Sequence, residues 1–182
     1  VSSEESVTDS SAKKVKFRYK WLIINLATAF LAAFTVSQFE DVISKYVLLA
    51  VYMPIVAGMG GNAGTQTLAV IVRGIALNQI SLSTALKTLK NEVFAGMANG
   101  LINGFLVAFV VLVKDHDAKI AFVLAVAMVI NLVIAAFFGT LVPLIMSKLK
   151  KDPAASATIF ITTATDVLGF LVFLSLATLV LG

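Results

Sequence analysis

The sequence lacks cysteine and contains a single histidine. Without cysteine, the chain can form neither a disulfide nor a thiolate metal site. The lone His116 lies in the polar segment KDHDAK, so a cluster of imidazole metal ligands is excluded as well. Charged residues are also scarce, at 13% of the chain, which is about half the share usual in a soluble domain. Because 59% of the residues are hydrophobic, more than so short a chain can bury, the composition predicts a membrane protein with several spans.

Five apolar segments follow a polar and basic start, and they predict an all-α membrane protein with five transmembrane helices. We expect the spans at residues 21–36, 42–77, 93–113, 120–146 and 154–181. The second segment is much longer than the roughly 20 residues that a span needs. It is therefore expected either to break at its middle or to project beyond the bilayer. Residues 1–16 are expected to form a disordered lead-in.

The basic residues predict the orientation of these spans. If the spans alternate in direction, eleven of the 14 Lys and Arg residues fall on one side and three on the other. The larger set is Lys13, Lys14, Lys16, Arg18, Lys20, Arg73, Lys87, Lys90, Lys148, Lys150 and Lys151, and the smaller set is Lys45, Lys114 and Lys119. This asymmetry predicts a plasma-membrane protein with its N-terminus in the cytoplasm and its C-terminus outside. An odd number of spans argues against an inverted repeat within the chain, and a homodimer could supply the symmetry instead.

One carboxylate, Asp166, lies well inside an apolar segment. Placing an Asp at the centre of a span costs about 3 kcal/mol, so we expect its side chain to face a cavity, a partner or water. The alternative is a neutral Asp that joins helices by hydrogen bonds. Thr158, Thr162, Thr165 and Gly169 share its helix face by spacing, which indicates a polar stripe. Threonines that bond carbonyl groups of their own helix would give the same pattern.

A second polar stretch, GMGGNAGTQT, interrupts the second apolar segment. Its glycines, together with Pro54, weaken helix continuity, and unpaired backbone at membrane depth is tolerated only inside protein or along a wet cavity. Close helix packing would explain the glycines. It would not explain Asn62 and Gln66, which are four residues apart with Thr65 between them. The stretch is therefore predicted to line a pore.

The third and fourth segments carry further polar residues. Glu92 is expected at the cytoplasmic entrance of the third span. Asn99 and Asn103 fit a pore lining and a contact between helices equally well, whereas Asn131 fits a helix contact better.

The available donors are carboxylate, amide, hydroxyl and carbonyl oxygens, which suit hard cations such as Mg²⁺, Ca²⁺ and Mn²⁺. Magnesium keeps several of its waters and is usually held by one or two carboxylates. Two copies of Asp166 across a dimer axis would suit a largely hydrated Mg²⁺.

Three segments resemble the MgtE family of magnesium channels and transporters. MPIVAGMGGNAGTQTLAVIVRGIAL resembles the family's signature, NEVFAGMANG its third helix and DPAASATIFITTATDVLGF its last helix. The resemblance covers residues 15 to 182. It implies a homodimer of five-helix protomers, with Mg²⁺ as both transported ion and ligand, and a pore between the protomers lined by the second and fifth helices.

The same resemblance implies roles for individual residues. The aspartate of the family's central Mg²⁺ site falls on Asp166. The other matching positions, expected along the pore, are Gly58, Gly61, Asn62, Glu92 and Gly169. Thr65 and Thr158 stand where some members carry asparagine, so contacts to the hydrated ion are expected to differ there.

The resemblance also bears on domain organisation. The family's cytoplasmic Mg²⁺-sensing region has no counterpart in this sequence, so residues 17–182 are expected to be the ion-conducting membrane domain. Residues 1–16 would then be the remnant of a connecting helix.

The resulting hypothesis is a passive Mg²⁺ channel, with a second copy and membrane lipid as partners and no nucleic acid. The alternative is an ion-coupled secondary transporter or exporter that uses Asp166 as its coupling site. An intramembrane aspartyl protease would need two membrane aspartates, so an enzyme is not expected. A membrane scaffold would not explain the polar stripe.

Overall fold

The computed structural model describes residues 5–80, 84–150 and 153–182, with side chains in the last range from Ala157 onward. Six helices form these ranges, and no strand occurs in them. The helices are α1 (Ser11–Ser37), α2 (Glu40–Lys45), α3 (Leu48–Ala76), α4 (Ala85–Asp115), α5 (Ala118–Lys148) and α6 (Pro153–Leu181). All except the short α2 are long and apolar enough to cross a membrane. The prediction of an all-α protein is therefore confirmed for the described residues, and five of their helices are candidate membrane spans, the number expected.

The second apolar segment breaks at a different place from the one expected. The break falls at Tyr46, whose backbone is not helical (φ −126°, ψ 75°), between α2 and α3. The Tyr46 hydroxyl donates a hydrogen bond to the carbonyl of Leu181 (2.6 Å), which ties this corner to the end of α6. Helix α3 then runs unbroken for 29 residues through the glycine-rich stretch. The expectation of a weakened helix there is wrong, because a continuous helix bonds its own backbone groups and leaves few of them unsatisfied in lipid.

The first helix also begins earlier than hydropathy predicts. Helix α1 starts at Ser11, so the last six residues of the expected lead-in are helical. Residues 1–4 lie outside the described residues.

Helix α5 is the centre of the bundle and packs against α3, α4 and α6. Its direction relative to α3 follows from two contacts, because Asn131 lies against Gly60 and Ala135 lies against Gly64. The two helices are therefore parallel, whereas α4 and α6 run in the opposite direction. Helix α1 packs along α6, and among its described side chains only Ala32 is buried.

This arrangement gathers the described Lys and Arg residues at the two ends of the bundle. Ten of the described Lys and Arg residues lie at one end of the bundle. This end is formed by the start of α1, the end of α3, the start of α4 and the end of α5. At the other end, the hydroxyl of Tyr52 on α3 donates a hydrogen bond to the carboxylate of Asp115, beside the turn between α4 and α5. The turn itself holds His116 in the left-handed region (φ 55°), and Asp117 caps α5.

Helices α4 and α5 pack backbone against backbone through a row of glycines. Gly96, Gly100 and Gly104 are spaced four residues apart on one face of α4. A Cβ at Gly100 would lie 2.7 Å from the Cα of Val129, and one at Gly104 would lie 2.8 Å from the carbonyl oxygen of Ala125. Since lipid tails are as apolar as side chains, such close van der Waals contact is a main source of helix association in a membrane.

We predict that Gly100→Ala destabilises the bundle, because its added methyl group would meet backbone that cannot move aside. The cost of such overpacking is about 1–3 kcal/mol, against a gain in helix propensity of at most about 1 kcal/mol. The measurement is the midpoint of thermal unfolding in detergent. Gly58→Ala is the matched control, since a Cβ there meets nothing within 4 Å. Equal midpoints for the two variants would contradict the prediction.

Candidate ion site

The glycine-rich stretch of α3 presents a polar, uncovered face that we call the open stripe, made of Gly58, Gly61, Asn62 and Thr65. A Cβ at Gly58 or Gly61 would meet nothing within 4 Å, and the side chain of Asn62 is exposed. The hydroxyl of Thr65 donates to the carbonyl groups of Gly61 (3.0 Å) and Asn62 (2.9 Å) within its own helix. The open stripe therefore offers amide and hydroxyl oxygens, with small residues that let another group approach closely.

The other glycines of the stretch have a different task. Gly60 and Gly64 lie on the opposite face of α3 and are buried. A Cβ at Gly64 would lie 2.5 Å from a methyl carbon of Ile161 on α6, and one at Gly60 would lie 2.5 Å from the amide nitrogen of Asn131 on α5. Because this face packs so closely on α5 and α6, the polar face of α3 points away from the protomer.

Asp166 lies on α6 at the depth of the open stripe. Gly64 contacts Ile161, while Gly60 and Gly169 contact the same side chain, that of Asn131. Asp166 falls between Ile161 and Gly169 along α6, and so it lies level with the segment from Gly60 to Gly64 on α3. Its side chain is half-buried, and within the described ranges it makes no hydrogen bond or ion pair.

The remaining predicted positions on α6 divide into two groups. Thr158 is exposed and Thr162 is partly buried, and the Thr162 hydroxyl donates to the Thr158 carbonyl (3.0 Å). The sequence predicts pore-lining positions at Thr165 and Gly169 too, but in the protomer both are buried packing positions. The Thr165 hydroxyl donates to the carbonyl of Thr162 (3.0 Å), and a Cβ at Gly169 would lie 2.8 Å from the amide oxygen of Asn131. The difference arises because the face that these residues share turns partly toward α5.

Gln66 and Glu92 line a groove between α3, α4 and α5, which we call the lateral groove, and Asp166 is not among its lining residues. Its volume is about 170 Å³, and its polar lining residues are Gln66, Thr67, Glu92 and Asn99. The hydroxyl of Thr67 lies 3.5 Å from a carboxylate oxygen of Glu92. The groove has room for several waters, each of which occupies about 30 Å³ in the liquid. The predicted site residues therefore form two polar surfaces rather than one.

A single protomer offers too few charged ligands to hold a dehydrated cation. Among the described residues, no three His, Asp or Glu side chains come together. Asp166 supplies one carboxylate, and the open stripe at the same depth supplies neutral oxygens. Such donors can contact the water shell of a hard cation that keeps most of its waters.

Comparison with known proteins agrees with this chemistry. Residues 53–176 match the family MgtE, which is described as a divalent cation transporter. The chain belongs to the MgtE family. The matched range contains the open stripe, the lateral groove and Asp166, and the resemblance found from the sequence is confirmed.

Several curated relatives carry the name magnesium transporter MgtE. The protein of Bacillus subtilis is 35% identical over 161 residues, which cover 88% of this chain and 36% of the relative. The Enterococcus faecalis protein is 34% identical over 96% of this chain and 39% of the relative. The Thermus thermophilus protein is 30% identical over 90% of this chain and 36% of the relative. The chain thus spans little more than a third of the length of these MgtE proteins.

Sequence reasoning missed which glycines of α3 pack against the neighbouring helices. Gly60 and Gly64 are four residues apart and lie on the opposite helical face from Gly58 and Gly61. Separating the glycines by helical face would have distinguished a packing pair from a solvent-facing pair. Asn131 differs from these glycines, because the sequence predicted it as a contact between helices, and its amide bonds the Val56 carbonyl of α3 (2.7 Å).

We predict that the open stripe contacts water rather than lipid, and the absence of cysteine makes this testable by single substitutions. A thiol at Asn62→Cys should react with a charged, membrane-impermeant thiol reagent, because only a wet path would bring that reagent to the middle of α3. Leu101→Cys is the control, since Leu101 is 59% exposed at the middle of α4 on an apolar face. We expect rapid labelling of the first variant and little of the second, and equal labelling would remove the open stripe from any water-filled path.

Proposed function

We propose that the chain forms the ion-conducting membrane domain of a homodimeric magnesium transporter, with the path for Mg²⁺ between two protomers. The helices that line this path are α3 and α6, the second and fifth spans. The observation that carries the proposal is the half-buried Asp166, unpaired among the described residues, at the depth of the uncovered open stripe.

Lipid is a poor cover for this surface. A carboxylate facing the middle of a bilayer costs about 3 kcal/mol even on permissive insertion scales, and intramembrane carboxylates usually face a bundle interior or a water-filled cavity. The amide of Asn62 adds to this cost, since a polar group without a partner is unfavourable in hydrocarbon. A second copy of the protein with water between the two stripes removes both costs.

A twofold axis beside α3 and α6 brings the two copies of Asp166 toward each other. Two carboxylates match the charge of one Mg²⁺, and the ion's retained waters would bond to the oxygens of Asn62 and of the α3 backbone. Because the contacts are made through the water shell, the site needs no dehydrated cage. This arrangement favours Mg²⁺, which gives up its waters reluctantly, over ions that bind directly to soft ligands.

The orientation of the protein gives the direction of flux. We place the basic end of the bundle in the cytoplasm and the end that carries Tyr52 and Asp115 outside, in the plasma membrane. A membrane potential of 100 mV, negative inside, then draws a divalent ion inward by about 4.6 kcal/mol, since each elementary charge contributes about 2.3 kcal/mol. Passive conduction requires no other energy source. The lateral groove, with Glu92 near the cytoplasmic start of α4, would hold hydrated cations at the inner end of the path.

An ion-coupled carrier or exporter is the second candidate, and Asp166 also supports it. A lone carboxylate in a partly buried position can bind a proton or Na⁺ as a coupling ion. The two candidates differ in their need for a gradient. A passive channel conducts Mg²⁺ whenever a voltage is applied, whereas a carrier requires the second ion.

We predict that Asp166→Asn reduces Mg²⁺ uptake to the background of cells that lack the protein. The substitution keeps the size of the side chain and removes the negative charge that attracts the cation. The measurement is Mg²⁺ uptake and growth of a bacterium deficient in Mg²⁺ import, with the amount of membrane-inserted protein determined alongside. Asp41→Asn is the control, because it makes the same chemical change at an exposed position in α2 and should retain uptake.

Continued uptake by Asp166→Asn would move the ion path away from this carboxylate. Loss of the protein from the membrane, rather than loss of flux, would favour a role for Asp166 in joining helices. Uptake that disappears when a proton or Na⁺ gradient is removed would favour the carrier.

A further inference from the structure

Asn131 is buried at the point where α3, α5 and α6 meet. Its exposed fraction is 0%, and its side chain enters a space that two glycines leave open. A Cβ at Gly60 of α3 would lie 2.5 Å from its Nδ2, and a Cβ at Gly169 of α6 would lie 2.8 Å from its Oδ1. One amide group of α5 is thus in contact with both of the helices proposed to line the ion path.

A hydrogen bond fixes the orientation of this amide. Its Nδ2 donates to the carbonyl oxygen of Val56 on α3 over 2.7 Å. The reverse orientation would place Oδ1 against that carbonyl, and two acceptors repel each other. The observed orientation leaves Oδ1 buried, with no hydrogen-bond partner in the described part of the chain.

An unsatisfied buried acceptor is unfavourable, and an apolar side chain of similar size would fill the same space without one. Packing alone therefore does not account for an asparagine at this position. The amide does what an apolar group cannot, because it bonds α3 at a defined height while its other atoms contact α6. The spacing and the axial register of the two helices are thereby set together.

We propose that Asn131 is a positioning residue that sets the separation of α3 and α6 at the depth of Asp166, and through it the discrimination of Mg²⁺ from other divalent cations. The proposal rests on the proposed function, since it assumes that the ion passes along these two helices. Asn131 itself does not contact the ion. It acts through the position of Asp166 on α6. Helix α6 contacts Gly64 of α3 through Ile161, five residues before Asp166, and contacts Asn131 through Gly169, three residues after it.

The link between helix spacing and selectivity is geometric. Mg²⁺ demands a near-ideal octahedral arrangement of ligands and keeps its waters, so the space for the hydrated ion has to be of constant size. A shorter side chain at position 131 would let α3 and α6 shift toward α5 and would release the bond that sets the height of α3. Ions that exchange water more readily, such as Mn²⁺ and Co²⁺, would tolerate the altered space better than Mg²⁺.

The decisive experiment measures uptake of Mg²⁺ and of Co²⁺ by membranes that carry Asn131→Ala, expressed as a ratio per inserted protein. We expect the Mg²⁺ to Co²⁺ ratio to fall about tenfold, the lower end of what loss of an outer-shell partner costs at metal sites. A residue that only stabilises the fold would lower both fluxes equally and leave the ratio unchanged. Thr140→Val is the matched control, because Thr140 is equally buried on α5 but its hydroxyl donates to Ala136 of the same helix (2.8 Å).

A second pair of variants tests the spacing directly. Gly60→Ala should also lower the ratio, because its methyl group would displace the amide of Asn131 and break the bond to Val56. In the double variant Asn131→Ala with Gly60→Ala, the added methyl group occupies the space that the amide has left. We expect the double variant to recover part of the Mg²⁺ to Co²⁺ ratio relative to Asn131→Ala alone.

The outcomes separate this proposal from the proposed function. If the unaltered chain takes up Mg²⁺ in a manner that depends on Asp166, and Asn131→Ala leaves the ratio unchanged, the positioning role is overturned and the function stands. If uptake does not depend on Asp166, the proposed function itself fails. Should Asn131→Ala not insert into the membrane, the ratio is measured with Gly60→Ala, and an unchanged ratio there likewise overturns the positioning role.

Discussion

A carboxylate at membrane depth with no partner among the described residues of its own chain is the constraint on which the arrangement of this protein depends. Among the described residues, Asp166 makes no ion pair or hydrogen bond. At the same depth, α3 carries the open stripe of amide, hydroxyl and backbone groups. Lipid cannot solvate these groups at low cost. A protomer built in this way is complete only when something polar covers the surface. Water, a hydrated cation and a second copy of the chain would meet that requirement together, which is why we propose the dimer and the ion path as one feature.

The rest of the fold serves to hold this surface in place. Glycines on α4 bring its backbone against α5, whereas Gly60 and Gly64 leave space on α3 for the side chains of Asn131 on α5 and Ile161 on α6. In a membrane such contacts replace the hydrophobic effect as the source of helix association. Helix α5 is the central helix on which α3, α4 and α6 pack, and we propose that Asn131 sets the height of α3 and α6 on it. Two sets of glycines on α3 therefore have opposite tasks, since one set faces the protomer interior and the other leaves space on the open side.

Much of the architecture could be predicted from the sequence, because span length and apolar composition are direct consequences of bilayer thickness. The position of the break in the second segment could not, since it falls at Tyr46, whose hydroxyl bonds Leu181, 135 residues away in the sequence. The glycines of α3 were a poor guide to helix continuity because the helix lies in lipid rather than in water. In water a glycine weakens a helix, whereas in lipid the backbone has no alternative partner. Within the site, Asp166 and Asn62 were predictable as costly polar residues. Two features of the site depend on how α5 packs, and helical spacing alone does not predict that packing. One is that Gln66 and Glu92 line a groove without Asp166, and the other is that Thr165 and Gly169 are buried.

The most direct test of the account asks whether two open stripes face each other. In the cysteine-free chain, Asn62→Cys is treated in membranes with a short, membrane-permeant bis-maleimide, and the product is analysed on a denaturing gel alongside Mg²⁺ uptake. We expect a covalent dimer whose formation parallels the loss of uptake, because the bridge would lie across the ion path. Leu101→Cys, at a similar depth on α4, should remain monomeric. A covalent dimer from Leu101→Cys and none from Asn62→Cys would contradict the account, since the protomers would then meet through α4 and leave Asp166 without a facing partner.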